Sequence, residues 1–330
     1  MRYSVVIPTV GRPSLHRTLS ALLGSAGPPP AEIVVVDDRP RPGAPLPLPD
    51  GADERLRVLR SGGRGPAAAR NKGWRAASCE WIVFLDDDVV PDPDWARRLR
   101  DDLAGLAGTV AGSQGRLTVP LPPDRPPTDW ERNTAGLETA AWITADMAYR
   151  RPVLLLVGGF DERFRRAFRE DADLALRVTR AGHELVRGER HVTHPARPAG
   201  FWASVRAQAG NADDALMNAL HGHGWYEHAQ APRGRFGRHV ATTAAGVLAF
   251  TALATASVRT VLAQGGSAGT APALRGPGRN RPGRAGPRRR RPAVLAGVAW
   301  AVLTAEFAAA RIRPGPATAS EILRMAVTSA

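Results

Sequence analysis

A single cysteine, Cys79, occurs in 330 residues, which excludes an intramolecular disulfide framework and a multi-cysteine zinc site and suits a reducing cytosol. Between a helical and a strand-like segment, it reads as a small apolar core residue. The start of the chain lacks a basic region followed by a long apolar run. Met1-Arg2-Tyr3 leads straight into strand-like sequence, so the front of the protein is expected to stay in the cytoplasm. Acidic residues are outnumbered, 31 against 45 basic ones, for a formal charge of +14. That balance suggests a nucleic-acid binder until it is divided: residues 239–330 hold twelve Arg and two Glu, a net of +10, leaving +4 for residues 1–238. Nearly all the basic residues are Arg, and Ala, Gly and Pro are abundant, as a GC-rich genome would give, so no specific nucleic-acid partner is expected.

What is present is an alternation of strand and helix. Residues 3–7 are β-branched and apolar and stop at Pro8-Thr9, after which Leu15, Leu19, Leu22 and Leu23 make one apolar helix face beginning near Pro13. Ile33-Val34-Val35-Val36 predicts a second buried strand ending in Asp37-Asp38. A Pro-rich loop over 39–51 precedes a short strand at 56–59 and a helix over 66–77. The fourth strand, Trp81-Ile82-Val83-Phe84-Leu85, delivers three adjacent acids, Asp86-Asp87-Asp88. This pattern predicts an α/β fold, a mostly parallel, Rossmann-like sheet flanked by helices, which binds ligands beyond the carboxyl ends of its strands. Three strand ends there carry Thr9, Asp37-Asp38 and the acid triplet. Three like charges repel, so a divalent cation with its phosphate ligand would balance them; a solvated turn capping the next helix is the alternative. Beyond residue 107 the sequence is less regular, Pro-rich over 120–127, with helical spacing at 171–179 and 201–220.

Six stretches stand in an order and spacing that resembles the family 2 glycosyltransferases of the GT-A fold, over residues 3–195. They are Val5-Val6-Ile7-Pro8-Thr9, residues 33–38, Ala69-Arg70-Asn71-Lys72-Gly73, residues 84–88, Gly158-Gly159-Phe160-Asp161-Glu162 and Glu170-Asp171-Ala172-Asp173-Leu174-Ala175-Leu176-Arg177. The resemblance implies a metal-dependent, inverting transfer of sugar from a nucleotide-diphosphate donor to a hydroxyl on a saccharide, lipid-linked or small-molecule acceptor, in cell-surface polysaccharide or glycolipid synthesis. It makes 1–238 the catalytic domain, with a nucleotide-sugar half at 1–112 and an acceptor half at 113–238. It further implies Asp88, Asp86 and His194 as ligands of Mg2+ or Mn2+, and Pro8, Thr9, Asp37, Asp38, Arg64, Asn71, Asp86 and Asp87 around the nucleotide-sugar. Asp171 would be the base, with Glu170 supporting it, and Trp142, Asp146, Gly158 and Gly159 fall on the acceptor side.

The chemistry agrees. A departing diphosphate needs a cation that prefers oxygen ligands, and a sugar alcohol needs a base to become a nucleophile. Other readings stay open: Asp171 opens an apolar-periodic helix and can cap it, Thr9 can simply end a strand, and Gly158-Gly159 can be an ordinary turn. Trp130 and Trp142 can stack on a sugar or pack in the core. The pair His191 and His194 lacks a third patterned zinc ligand, and His221, His223 and His228 read as a solvated Gly-rich loop. Two departures from the family pattern are visible. Asp146 stands where a neutral polar residue is usual, which points to an unusual acceptor, and Arg39-Pro40 replaces a small polar turn beside the base pocket.

The remaining 239–330 is expected to be a helical, partly disordered tail. Residues 240–258 are uncharged and 293–310 are apolar but for Glu306; between them, 264–292 is rich in Arg, Pro and Gly, with eight Arg over 275–291. A two-span hairpin would place those arginines outside the cell, against the positive-inside tendency. Helices lying on or dipping into the anionic inner leaflet, peripheral to or anchored at the membrane, are therefore expected, with a soluble appendage as the alternative. Two rival functions remain: a nucleotidyltransferase on a similar sheet, against which the lack of an N-terminal Gly-rich loop with a following Lys argues, and a non-catalytic membrane or nucleic-acid binder acting through the tail.

Overall fold

The computed structural model describes residues 1–41, 43–51, 54–234, 236–265 and 291–329, so nearly all of the Arg-rich linker expected to be disordered lies outside the described residues. The chain divides into two compact units, Met1–Arg233 and Gly234–Ala330, slightly before the boundary expected after residue 238.

In the first unit, Tyr3–Thr9 (β1), Glu32–Asp37 (β2), Leu56–Arg60 (β3) and Trp81–Leu85 (β4) pair in parallel. Every residue of β1 and β4 is buried, as apolar, β-branched runs covered on both faces require. Val90–Pro91 (β5), Val110–Thr118 (β6), Asp146–Arg150 (β7) and Glu184–Thr193 (β8) complete an eight-stranded sheet in the order β3-β2-β1-β4-β7-β6-β8-β5. β7 runs antiparallel to both β4 and β6, so the expected parallel sheet continues into a mixed half. Register aligns Thr9 with Asp37 and Val6 with Phe84, which brings the carboxyl ends of β1, β2 and β4 to one edge.

Helices cover both faces. Ser14–Leu23 (α1) and Trp95–Leu103 (α3) bury Leu15, Leu19, Trp95 and Leu99 against Val5, Ile7 and Val35. On the other face Pro66–Ala76 (α2), Arg151–Val157 (α5) and Glu170–Arg180 (α6) bury Trp74, Leu154, Leu174 and Val178 against Val6, Val34 and Phe84. The split between Val5 or Ile7 and Val6 is the two-residue period of a strand. α2 lies close on β1 because residue 73 is Gly: a Cβ there would stand 2.3 Å from Val6 Cγ1. Asp129–Ala135 (α4) begins on a capping box formed by Thr128 and Glu131.

The stretch 201–220 is not one helix but two, Ala203–Ala207 (α7) and Asn211–His221 (α8), followed by Trp225–His228 (α9). Met217 and Trp225 pack with Phe164 and Leu176 in a third apolar cluster. His221 is thereby removed from the loop expected of it: its Nε2 lies 2.8 Å from Oδ1 of the buried Asp173. His223 and His228 are exposed.

The second unit contains Phe236–Gly265 (α10), Arg291–Ile312 (α11) and Ala319–Val327 (α12). The pairing of Arg238 with Glu306 at 2.5 Å, and of Gly246 with the Trp300 ring, sets α10 and α11 antiparallel. Away from that contact, Leu248, Phe250 and Leu253 of α10 and Val294, Leu295, Val298 and Val302 of α11 are exposed. Among the described residues one helix, over Ala293–Ile312, is long and apolar enough to cross a membrane.

Candidate active site

The edge where β1, β2 and β4 end opens into a cleft of about 550 Å³, lined among others by Thr9, Asp38, Asp86, Asp88, Asp171 and His194. Side chains from sequence positions more than 150 residues apart therefore share one space.

The acid triplet is organised differently from the expectation that repulsion awaits a metal. Each carboxylate has its own arginine. Asp86 accepts from Arg70 Nη2 at 2.8 Å, Asp87 from Arg12 Nη1 at 2.6 Å, and Asp88 lies 3.1 Å from Arg197 Nε. Asp87 is also held by the Thr9 hydroxyl, which donates to it at 2.5 Å, and its side chain is only 1% exposed. It is the locked member of the triplet. Asp88 additionally faces His194 Nε2 at 3.4 Å, and burial together with the Asp86 charge raises its pKa.

Arg70 is the hub of the far wall. Projecting from α2 and fully buried, it donates through Nη1 to Glu170 at 2.9 Å and through Nη2 to Asp86, stands 3.8 Å from Asp171, and lies over the Phe160 ring. Glu170 begins α6, directly after Arg169, whose left-handed φ of 74° turns the chain into the helix. Burial and the neighbouring Asp171 push the Glu170 carboxyl up to about 8, against the opposing pull of Arg70, and its Oε2 has no hydrogen-bond partner. Asp171 is 21% exposed toward the cleft. Its two oxygens accept from the backbone N–H and the hydroxyl of Thr144, at 3.0 and 2.8 Å. Burial raises its pKa too, while Arg70 and the Thr144 donors favour its charged form. Burial therefore holds both carboxyls above their ordinary range, and Asp171 is the member of the pair that meets the cleft.

Pro8, Arg64 and Asp87 line the cleft as well. Asp38 lines it but spends its carboxylate on the protein: it accepts from Ser61 Oγ at 2.6 Å and from the N–H groups of Arg64 and Gly65 at 3.0 and 2.9 Å, shaping the turn into α2. The Arg64 guanidinium pairs with Glu162. Asp37 is directed away, bound by Arg39 through its backbone N–H and its guanidinium, which lowers the Asp37 pKa; Arg39 thus accounts for the second departure from the family pattern.

Four residues read as acceptor-side, and Asn71, do not line the cleft. Asp146 is fully buried between Arg190 Nε at 2.8 Å and Trp95 Nε1 at 2.7 Å, so its charge answers a core arginine rather than an acceptor. Arg190 also donates to Asp102 and Ser113, tying α3, β6, β7 and β8 together. Trp142 packs in the core at a left-handed φ of 63° and sets the loop that presents Thr144. Asn71 donates to the Phe160 carbonyl at 2.8 Å and accepts from Phe160 N–H and Trp74 Nε1. It holds the turn made by Gly158 and Gly159, where φ is +80° and +75° and a Cβ on Gly159 would stand 2.5 Å from Asn71 Oδ1. Trp130 also lies off the cleft. His191 and His194 diverge, the former to Asp92 and Thr118.

Arg12, Arg70, Thr144 and Arg197, and the cleft-lining Arg165 and Arg166, were not picked out by sequence reasoning. Arg70 lies inside a matched stretch and Thr144 opens residues 144–151, which resemble the family's acceptor-side strand; the others carry no motif of their own.

The residues present fit a cation. Among the described residues no three His, Cys, Asp or Glu side chains form a ready cage, but Mg2+ and Mn2+ keep several waters and need only one or two carboxylates beside phosphate oxygens. Asp88 supplies such a carboxylate at the cleft with the His194 imidazole beside it, and the buried His194 Nδ1 has no protein partner to fix the ring otherwise.

Residues 4–141 match the model of Glycosyl transferase family 2. The match takes in the strands and the acid triplet that form the cleft edge, and stops before Thr144 and Asp171. The chain is 30% identical over 201 residues to the pre-mycofactocin glycosyltransferase of Mycobacterium tuberculosis, covering 55% of this chain and 40% of that protein. It is likewise 30% identical over 215 residues to the O-antigen biosynthesis protein RfbC of Myxococcus xanthus, covering 56% of this chain and 16% of that protein. The chain thus spans less than half the length of these relatives. Among solved structures, the mannosyltransferase PcManGT from Pyrobaculum calidifontis, in complex with GDP-Man and Mn2+, superposes with a TM-score of 0.50 at 20% identity, covering 91% of this chain and 86% of that one. The first unit has the GT-A fold.

Proposed function

We propose that this chain is a metal-dependent, inverting glycosyltransferase that moves a sugar from a nucleotide-diphosphate donor to an acceptor hydroxyl. One observation carries the reading: Asp171, gripped by Thr144, opens into the same cleft as Asp88 and His194, so a base and a phosphate-holding edge face one another. Thr9, Pro8 and the turn shaped by Asp38 form the nucleotide end. Asp171 takes the proton of the acceptor hydroxyl as its oxygen bonds the anomeric carbon. The bond from that carbon to the diphosphate oxygen breaks in line, its electron pair leaving with the diphosphate. Asp88, Asp86 and His194 would hold Mg2+ or Mn2+, which would supply positive charge to the leaving diphosphate. Glu170, anchored to Arg70, holds the helix start that carries Asp171. The Myxococcus relative named for O-antigen biosynthesis supports a role in cell-surface polysaccharide or glycolipid synthesis, with a saccharide or lipid-linked acceptor.

The second unit supports a cytoplasmic enzyme held at the inner face of the membrane: its antiparallel helices turn apolar side chains outward where a water-facing pair would carry polar ones. The test of the reaction starts by screening nucleotide-sugars for metal-dependent thermal stabilisation, then follows release of nucleoside diphosphate. Asp171→Asn and Asp88→Ala should each lower turnover by about 10²- to 10⁴-fold. Full activity in either variant removes that residue's role, and pyrophosphate as product would establish a nucleotidyltransferase instead.

A further inference from the structure

Of the three arginines that neutralise the acid triplet, two are fixed. Arg70 is buried and also serves Glu170, and Arg12 grips an Asp87 already locked by Thr9. The third is free to leave. Arg197 meets Asp88 by one contact, Nε at 3.1 Å, and its side chain is 49% exposed. It lies in residues 195–200, a stretch without helix or strand that follows β8 and His194. Asp88 itself is 8% exposed, so its charge needs a partner at all times.

We propose that Arg197 is a displaceable counter-ion: it holds Asp88 until a divalent cation takes that carboxylate, and it then turns to the diphosphate that the cation brings. This rests on the metal-dependent reading of the site. A guanidinium and a divalent cation on one carboxylate repel each other, so the cation must expel Arg197 to bind. The expelled side chain stays at the rim of the cleft it already lines, within reach of the next negative charge to arrive. Arg197 therefore opposes metal alone and favours metal with diphosphate, which makes the two ligands bind cooperatively. Arg197 acts as a positioning residue.

The test uses the full chain, Mn2+ and inorganic pyrophosphate as probes. Free Mn2+ is followed by electron paramagnetic resonance, and the preformed Mn2+–pyrophosphate complex is titrated by calorimetry at saturating Mn2+. Arg197→Gln should bind Mn2+ alone about tenfold more tightly than wild type and the pyrophosphate complex about tenfold more weakly, with Arg197→Lys between the two. Equal Mn2+ affinity in wild type and Arg197→Gln overturns the displacement. Asp88→Asn should lose Mn2+ in every background. If no chain binds Mn2+ with or without pyrophosphate, the metal site itself falls, a result distinct from equal binding.

Discussion

At the scale of single residues, the site is a set of buried charges whose neighbours decide which one is ionised. Glu170 and Asp171 are adjacent in sequence and share Arg70, yet one is sealed with an unpartnered oxygen and the other opens to the cleft on two Thr144 donors. The consequence is measurable as stability. An acid whose folded pKa of about 8 exceeds its ordinary value of 4.5 holds its proton more tightly folded than unfolded. Between those values the native state carries the extra proton, so this group makes unfolding free energy fall as pH rises from about 4.5 to about 8, and adds no slope above. Glu170→Gln keeps an acceptor for Arg70 but cannot titrate. Urea unfolding across that range should show a shallower decline in the variant than in wild type; parallel curves would contradict the assignment.

At the scale of elements, neighbouring residues part company because a helix turns by about 100° per residue. Arg70 and Asn71 sit side by side on α2, but Arg70 reaches the cleft and Asn71 reaches the turn at Phe160. The Ala69-Arg70-Asn71-Lys72-Gly73 stretch was recognisable in sequence; which of its members faces ligand was not. Asp146 makes the same point on a strand. Its alternation on β7 directs it into the packing with α3 and β8, where Arg190 waits from a position 44 residues later. Removing the Asp146 charge leaves the fully buried Arg190 with Asp102 alone to balance it. Asp146→Asn should cost roughly 3–5 kcal/mol in denaturant unfolding. The protein that remains folded should keep its wild-type KM for acceptor, and a raised acceptor KM at unchanged stability would restore the acceptor-side role.

At the scale of the whole molecule, the two units differ in what they hide. The first buries its apolar strands on both faces, whereas the second leaves Phe250 72% and Leu295 69% exposed. A bilayer removes that surface from water. The full chain should float with lipid vesicles and stay bound in 1 M salt, because hydrocarbon contact is not screened as arginine–headgroup attraction is. Val298→Asp with Val302→Asp, both at exposed positions of α11, should abolish flotation. Release of the wild type by salt would show that the arginines alone hold it.

The sequence by itself determined the first four strands, the parallel half of the sheet, and the edge on which acids gather, because buried parallel strands read as unbroken apolar runs and their ends are marked by Thr9, Asp37-Asp38 and Asp86-Asp87-Asp88. It also marked the Glu170-Asp171 pair, through the resemblance of its stretch to the family 2 glycosyltransferases, while its place at a helix start left a capping role open. Only the tertiary structure decided the partners. That the triplet is neutralised by Arg70, Arg12 and Arg197, that Thr144 orients Asp171, and that Arg190 claims Asp146 all depend on contacts between residues 16 to 109 positions apart. Charge in one stretch of chain has no fixed meaning until the fold brings its counter-charge, since the same carboxylate serves chemistry when it faces a cleft and packing when it faces an arginine.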